Sequence, residues 1–201
     1  MSTKKIETHR KILESAFRLL TERGYHGVGL EEVARDAGLS RQAVYLHFNS
    51  KADLLVATAQ YLDSQVGTEE FLRPVFEAKD AVQAMDRAVE AYAAIEPLIY
   101  DAAIMIYAQR GSEPAAENAW QDRMEFRRQN VLRGITALEA EGMLAQGWNI
   151  EEASDFVWSL LSIHTYEYLV RERKWPIDRF IDRLRQVLHA AIVATPPKPA
   201  D

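Results

Sequence analysis

Residues 40–51 hold the side chains of this chain that are best suited to recognising nucleic acid. Arg41 can pair through two hydrogen bonds with guanine, and Gln42 can pair in the same way with adenine. Ala43 is small enough to contact the methyl group of thymine. The other polar residues of this stretch are expected to contact phosphates, and they are Tyr45, His47 and Lys51. Lys51 would also open a helix, whose dipole favours an anion.

These side chains require a scaffold, and residues 30–51, LEEVARDAGLSRQAVYLHFNSK, read as two short helices joined by a tight turn. Gly38 lies between two apolar-periodic segments and supplies the backbone freedom that a sharp turn needs. Ser40 is the predicted N-cap of the second helix and belongs to the DNA-binding candidates as well. The pattern predicts a helix-turn-helix whose second helix enters a major groove. An ordinary corner between two helices is the alternative.

The flanking segments agree with a helix-turn-helix. Residues 6–23 are predicted to form an amphipathic helix, because apolar side chains recur on one face. Ser50 and Asp53 resemble a capping box that opens a further helix at Lys51. Lys4 and Lys5, together with Arg10, are expected to form a basic arm that adds non-specific affinity for DNA.

About the first 66 residues resemble the DNA-binding domain of the TetR/AcrR family of transcriptional regulators. The family usually places Thr or Ser at the position of Gly29, yet Gly is still an acceptable N-cap. The matching pieces occur in the order and spacing of the family, and they are ILESA at 12–16, GY at 24–25, VARDAGLS at 33–40, VYLHF at 44–48 and SKADLL at 50–55.

Charge is distributed unevenly along the chain. The whole chain has a formal net charge of −6, but residues 1–51 contain nine Lys and Arg against six Asp and Glu, a net charge of +3. A basic N-terminal part on an acidic body is typical of a protein that meets phosphate at one end. The sequence has no cysteine, no apolar signal region at its start and no apolar run of membrane-spanning length. We therefore expect a cytoplasmic protein without a membrane partner.

The remainder of the chain is predicted to be helical, without a strand signal. Gly67 and Pro74 are expected to bracket a loop or short turn. Asp80 caps the next predicted helix, and Pro97 is expected to stand in the first turn of a separate one, 98–109. Longer helices are predicted from Pro114 to about residue 141, over 150–173 and from Pro176 onward.

The predicted fold class is therefore all-α with about nine helices. A three-helix helix-turn-helix domain is assigned to residues 1–50, although the family motif extends to about residue 66. Residues 51–195 are assigned to a ligand-binding and dimerisation domain, as the family resemblance implies.

The last two predicted helices carry more apolar surface than one intrachain face needs. Two such helices from each subunit would form an intersubunit four-helix bundle. The alternative is that these residues pack on the core of their own chain, and the resemblance to a family of two-fold dimers favours the dimer. The candidate interface residues are Phe156, Leu160, Ile163, Phe180, Leu184, Val187, Leu188 and Ala191.

A small-molecule pocket is the second predicted site. Aromatic walls with a few polar groups suit an organic ligand, although for each single candidate a place in the core or on a solvated face is the stronger alternative. The acidic body favours a neutral or cationic ligand, whereas Arg123 and Arg127 could seat a carboxylate, and both readings stay open here. The candidates are Tyr92, Tyr107, Trp120, Arg123, Phe126, Arg127, His164 and Tyr168.

No constellation for catalysis is present in the sequence: no HExxH or ExxH signature, no Gly-rich phosphate loop and no GxSxG. We expect no enzyme activity, no cofactor and no metal. The resemblance implies a homodimeric regulator that binds a pseudo-palindromic operator in double-stranded DNA, a repressor that a small-molecule effector releases. The alternatives are a regulator that needs no ligand or that activates, and, more distantly, a helical enzyme or adaptor that carries a helix-turn-helix.

Overall fold

The computed structural model describes residues 3–194, and for residues 3 and 4 it describes the backbone alone. Within this range the chain is helical, and the sole extended pairing is an isolated bridge between Leu144 and Val193. The predicted all-α class is confirmed. The helices are α1 (Thr3–Arg23), α2 (Leu30–Asp36), α3 (Arg41–Tyr45), α4 (Lys51–Val66), α5 (Thr68–Phe76), α6 (Ala81–Gln109), α7 (Pro114–Ala140), α8 (Ile150–Leu160), α9 (Ile163–Tyr166), a π-helical segment (Glu167–Glu172) and α10 (Ile177–Ile192).

The chain divides into two compact units. The first runs to Val66 and also includes Leu98–Arg123, and the second consists of Gly67–Pro97 and the chain from Met124 onward. Two of the three breaks between the units therefore fall inside helices, α6 and α7. The domain boundary expected after residue 50 stays a prediction.

The core of the first unit is built from the apolar face of α1, which packs on α2 and α4. The apolar side chains of α1 recur at helical spacing, so that one face of the helix is buried while the charged face stays exposed to solvent. Val44 fixes α3 on the same core and is fully buried. The buried residues of this core include Ile12, Leu13, Ala16, Leu20, Val33, Val44, Phe48, Leu54 and Leu55.

In the second unit, α10 buries one continuous stripe made of Phe180, Leu184, Leu188 and Ile192. The ring of Phe180 lies 5.9 Å from that of Tyr92 and 6.1 Å from that of Tyr166. At the C-terminal end of α10, the carbonyl oxygen of Ile192 accepts a hydrogen bond of 2.8 Å from the backbone N–H of Ala145. This unit thus has its own apolar core.

Two predictions about helix boundaries at prolines are wrong. The segment expected to be a loop between Gly67 and Pro74 is α5, and α6 continues through Pro97 instead of ending before it. Proline within a helix removes one hydrogen bond and crowds the preceding turn. In α6 this cost is offset by burial on both sides of the proline, where Ala93 and Ile99 lie in the interior.

The helix predicted over 150–173 is also interrupted. Leu161 leaves helical geometry, and Ser162 is extended and caps α9 through a hydrogen bond from the backbone N–H of Thr165 to Ser162 Oγ. Ser competes for backbone groups in this way and therefore favours a helix start over a helix interior. The helix expected to open at Pro176 and the long helix from Pro114 are confirmed. None of the described helices combines the length and apolarity of a membrane span.

Candidate nucleic-acid interface and ligand site

The turn between α2 and α3 has the geometry expected from the sequence. Gly38 adopts a left-handed conformation with φ of +66°, which a residue with a Cβ rarely adopts. The backbone N–H of Leu39 returns to the carbonyl oxygen of Ala34 over 2.9 Å. Ser40 is the N-cap of α3, and its Oγ accepts a hydrogen bond of 3.1 Å from the backbone N–H of Ala43. The predicted turn and cap are confirmed.

The outer surface of α3 is polar and exposed. Arg41, Gln42 and Tyr45 are exposed, and Ala43 is half-buried. Arg41 Nη2 lies 2.7 Å from Glu31 Oε1, and the Arg41 guanidinium carbon lies 5.5 Å from the centre of the Tyr45 ring. Glu31 therefore restrains the arginine that is the strongest candidate for reading a base.

Lys51 lies against the aromatic ring of Tyr25, a residue that was not among the predicted site residues. Its Nζ lies 4.2 Å from the centre of the Tyr25 ring, and the Tyr25 hydroxyl donates a hydrogen bond of 3.3 Å to Glu113. Burial lowers the pKa of Lys51, while Glu113 and Glu32 act in the opposite direction. Burial, followed by Glu113, raises the pKa of Tyr25 to about 12. The position of Tyr25 beside a predicted helix end was the available signal.

His47 faces α1 within the first unit. Its Nδ1 lies 3.2 Å from Nδ1 of His9, and the His9 ring stacks on Phe48 with 5.1 Å between centres. Burial lowers the pKa of both imidazoles, and the charge of Lys5 acts in the same direction. The phosphate contact of His47 stays a prediction. Lys5 is exposed, whereas the side chain of Lys4 lies outside the described residues.

Two of the predicted ligand residues of the second unit, Tyr92 and Arg127, lie beside an acidic group that was not among the predicted site residues. Glu96 is buried to 1% exposure in α6 and pairs with Arg127. Tyr92 lies one turn before Glu96 and is buried. His164 Nδ1 lies 3.1 Å from Glu167 Oε2. The period of four residues between Tyr92 and Glu96 on an apolar helix was the signal that could have found this carboxylate.

The remaining ligand candidates are placed differently. Phe126 and Tyr168 are exposed on the second unit. Tyr107, Trp120 and Arg123 belong to the first unit. The rings of Tyr107 and Trp120 pack with 4.9 Å between centres, and Arg123 pairs with Asp63 in α4. The eight candidates thus belong to two different units, and their role in binding a ligand stays a prediction.

Most of the strongly apolar candidates for the dimer interface are buried inside the second unit. Ile163, Phe180, Leu184 and Leu188 are all buried there, so they pack on the core of their own chain. Val187 is 42% exposed. The three other candidates are half-buried, and they are Phe156, Leu160 and Ala191.

The fold and this surface define an all-α protein with an N-terminal helix-turn-helix DNA-binding domain. The sequence profile of "Bacterial regulatory proteins, tetR family" matches residues 12–58. Residues 12–58 are therefore those of a DNA-binding domain of the TetR family, and the chain is similar to transcriptional regulators of the TetR/AcrR family.

Individual relatives differ in how much of the chain they match. The HTH-type transcriptional activator FasR of Mycolicibacterium smegmatis is 35% identical over 88 residues, which are 43% of this chain and only 39% of FasR. The regulator CymR of Pseudomonas putida is 26% identical over 194 residues, 93% of this chain and 88% of CymR.

A crystal structure of a protein from Saccharomonospora viridis in complex with choline has the same fold. Its TM-score is 0.78 at 21% identity, covering 94% of this chain and 99% of that one. At this identity the likeness concerns the fold alone.

Proposed function

We propose that this chain is a homodimeric repressor that binds a pseudo-palindromic operator and is released by a small molecule. The observation that carries DNA recognition is the exposed start of α3, where Arg41 and Gln42 stand on a helix fixed by Ser40 and by buried Val44. Bidentate pairing with a base edge requires a side chain whose backbone is held in one place. Here the cap and the core hold the backbone and leave both side chains exposed, with Arg41 restrained by its ion pair with Glu31.

Phosphate contacts would fix the register of α3 on the duplex. Lys51 is the strongest candidate, since the Tyr25 ring orients its ammonium group at the first turn of α4. Such contacts carry no sequence information, but they supply much of the affinity and its salt dependence. Arg41 and Lys51 therefore have separable roles, one in specificity and one in affinity.

A two-fold dimer would place its two α3 helices in successive major grooves, about 34 to 36 Å apart. The exposed apolar side chain of Val187 on α10 supports an interface on that helix. An effector bound outside the DNA-binding domain would have to bind more tightly to a dimer whose α3 helices have the wrong spacing. A ligand with equal affinity for both states of the dimer would not change their populations. The choline complex of the structural neighbour supports a small organic molecule as the effector.

The test of DNA binding is a gel-shift titration of the full chain with the promoter of its own gene. Wild-type protein should shift this fragment at a concentration at least tenfold below that needed for a shuffled fragment of equal length. Arg41→Ala should remove this preference, and Arg35→Ala, an exposed arginine at the end of α2, is the matched control. Equal affinity of wild-type protein for both fragments would reject the proposal.

The sign of regulation needs a second measurement. Expression of a reporter fused to the same promoter should rise when the gene for this protein is deleted. It should fall again when the gene is supplied in trans. A reporter that falls on deletion would show an activator instead, which is the activity named for the relative FasR.

A further inference from the structure

The second unit encloses a carboxylate, a guanidinium group and an aromatic ring in one cluster. Glu96 Oε1 lies 2.5 Å from Arg127 Nη2, and the Arg127 guanidinium carbon lies 5.8 Å from the centre of the Tyr92 ring. Glu96 is 1% exposed, whereas the side chain of Arg127 is 21% exposed. The carboxylate is therefore internal, and the arginine reaches it from nearer to the surface.

The Tyr92 hydroxyl is already committed within this cluster. It donates a hydrogen bond of 2.6 Å to the carbonyl oxygen of Ser162, and the ring also contacts Phe180. Hydroxyl and ring are therefore fixed in orientation, so that Tyr92 offers its ring to a neighbouring cation. A carboxylate beside an aromatic ring is an arrangement that attracts ammonium and guanidinium groups.

We propose that Glu96 and Tyr92 form the effector site for an organic cation, and that Arg127 occupies this site in the absence of the effector. Binding would exchange one cation for another: the guanidinium of Arg127 leaves Glu96, and the cationic group of the effector takes its place. The inference rests on the proposed function in that it names the chemical class of the small molecule.

Charge balance explains why the effector would be a cation and not an anion. An anion at this position would bring a second negative charge beside a carboxylate that is only 1% exposed, which is strongly unfavourable in a poorly solvated interior. A cation keeps Glu96 compensated, and the displaced guanidinium can move to water because it already lies near the surface. The sequence analysis left open a carboxylate ligand bound by Arg123 and Arg127. Such a ligand would also have to break the ion pair between Arg123 and Asp63.

The position of Arg127 suggests how the exchange could be sensed. Arg127 and Arg123 stand four residues apart in α7, one helical turn. Arg123 pairs with Asp63 of α4, a helix whose first residue is Lys51. Release of Arg127 would change the restraint on α7 next to the arginine that binds α4.

The test is isothermal titration calorimetry of the full chain with benzylguanidinium, which carries the same cationic group as Arg127, and with benzylurea, its neutral near-isostere. Arg127→Met removes the competing cation and keeps an apolar side chain of similar length. We expect this variant to bind benzylguanidinium at least tenfold more tightly than wild-type protein, and benzylurea at least tenfold more weakly than benzylguanidinium. Glu96→Gln should abolish binding of the cation. Arg128→Met, which removes an exposed arginine paired with Glu125, is the matched control and should behave as wild type.

If Arg127→Met does not fold in the absence of a ligand, thermal unfolding in the presence of each compound replaces calorimetry. Benzylguanidinium should then restore a cooperative transition at concentrations where benzylurea does not. The inference is overturned if Arg127→Met binds the cation no more tightly than wild type, if Glu96→Gln retains binding, or if benzylurea binds or rescues equally well.

A parallel gel shift separates this inference from the proposed function. Operator binding without any cation binding would overturn the cation site and leave DNA recognition intact. Cation binding by a protein that fails to bind its promoter would support the site and reject the regulator.

Discussion

The two adjacent residues Val187 and Leu188 of α10 should respond to substitution in opposite ways. Leu188 is 0% exposed and packs in the core of its own chain, whereas Val187 is 42% exposed. We predict that Leu188→Ala weakens folding without abolishing the dimer, and that Val187→Glu abolishes the dimer while the subunit stays folded. Gln186→Glu adds the same charge at an exposed neighbouring position and is the control.

The magnitudes follow from burial. Removing a fully buried leucine side chain costs about 2 to 5 kcal/mol, because its contacts are lost and a cavity remains. For a chain of this length, about 1 kcal/mol corresponds to roughly 2 to 4 °C in Tm. A loss of about 3 kcal/mol in Leu188→Ala should therefore lower Tm by roughly 6 to 12 °C. An exposed substitution such as Val187→Glu changes the stability of the subunit by only about 0.5 kcal/mol.

Sedimentation velocity and thermal unfolding should be measured over the same range of protein concentration. Wild-type Tm should rise with concentration, because association stabilises the folded subunit. Val187→Glu should sediment as a monomer with helical circular dichroism and a Tm independent of concentration. An intact dimer in Val187→Glu would place the interface elsewhere, and an unchanged Tm in Leu188→Ala would contradict the burial of α10.

Three further predictions concern the first unit. Arg41→Ala should lose about 1 to 3 kcal/mol of discrimination at one base position, whereas Lys51→Ala should weaken binding to all sequences and reduce the salt slope by about one; filter binding across salt concentrations measures both. Because burial lowers the pKa values of His9 and His47, the free energy of unfolding should fall as pH drops below about 6.5, where the unfolded chain takes up more protons. His47→Gln should flatten this decline in urea titrations. Ser40→Ala should cost about 1 kcal/mol of stability, measured in the same titrations.

Each of these has a contrary outcome. A change in sequence preference in Lys51→Ala alone would reverse the roles assigned to Lys51 and Arg41. Stability that stays constant or rises as the pH falls from about 6.5 to about 5 would contradict the lowered pKa values of the two imidazoles. Unchanged stability in Ser40→Ala would mean that its hydrogen bond to Ala43 contributes nothing to α3.

The helix-turn-helix could be predicted because its determinants are local. Gly38 supplies a left-handed residue, Ser40 caps a helix three residues before Ala43, and Val44 continues the apolar period. Each of these interactions joins residues at most five apart in the chain, so residue type and spacing contain the information. The cap at Asp80 was predicted for the same reason and is confirmed.

Other features depend on residues far apart in the chain. The local preference of proline predicts a helix boundary at Pro97. The helix α6 nevertheless continues through it, because residues on both sides are buried. Glu96 and Arg127 are 31 residues apart, and nothing in the local sequence of either residue predicts the other as its partner. Only the tertiary structure shows that the carboxylate and the guanidinium group pair.

The apolar stripe of α10 was equally visible in the sequence, but periodicity shows only that a face is apolar and not what covers it. Packing in three dimensions buried Leu184 and Leu188 and left Val187 exposed. Local chemistry thus determined the DNA-reading element of this protein. Which of the candidate side chains lie in the core and which stay exposed was decided by long-range packing, because burial is a property of the folded chain and not of any single segment.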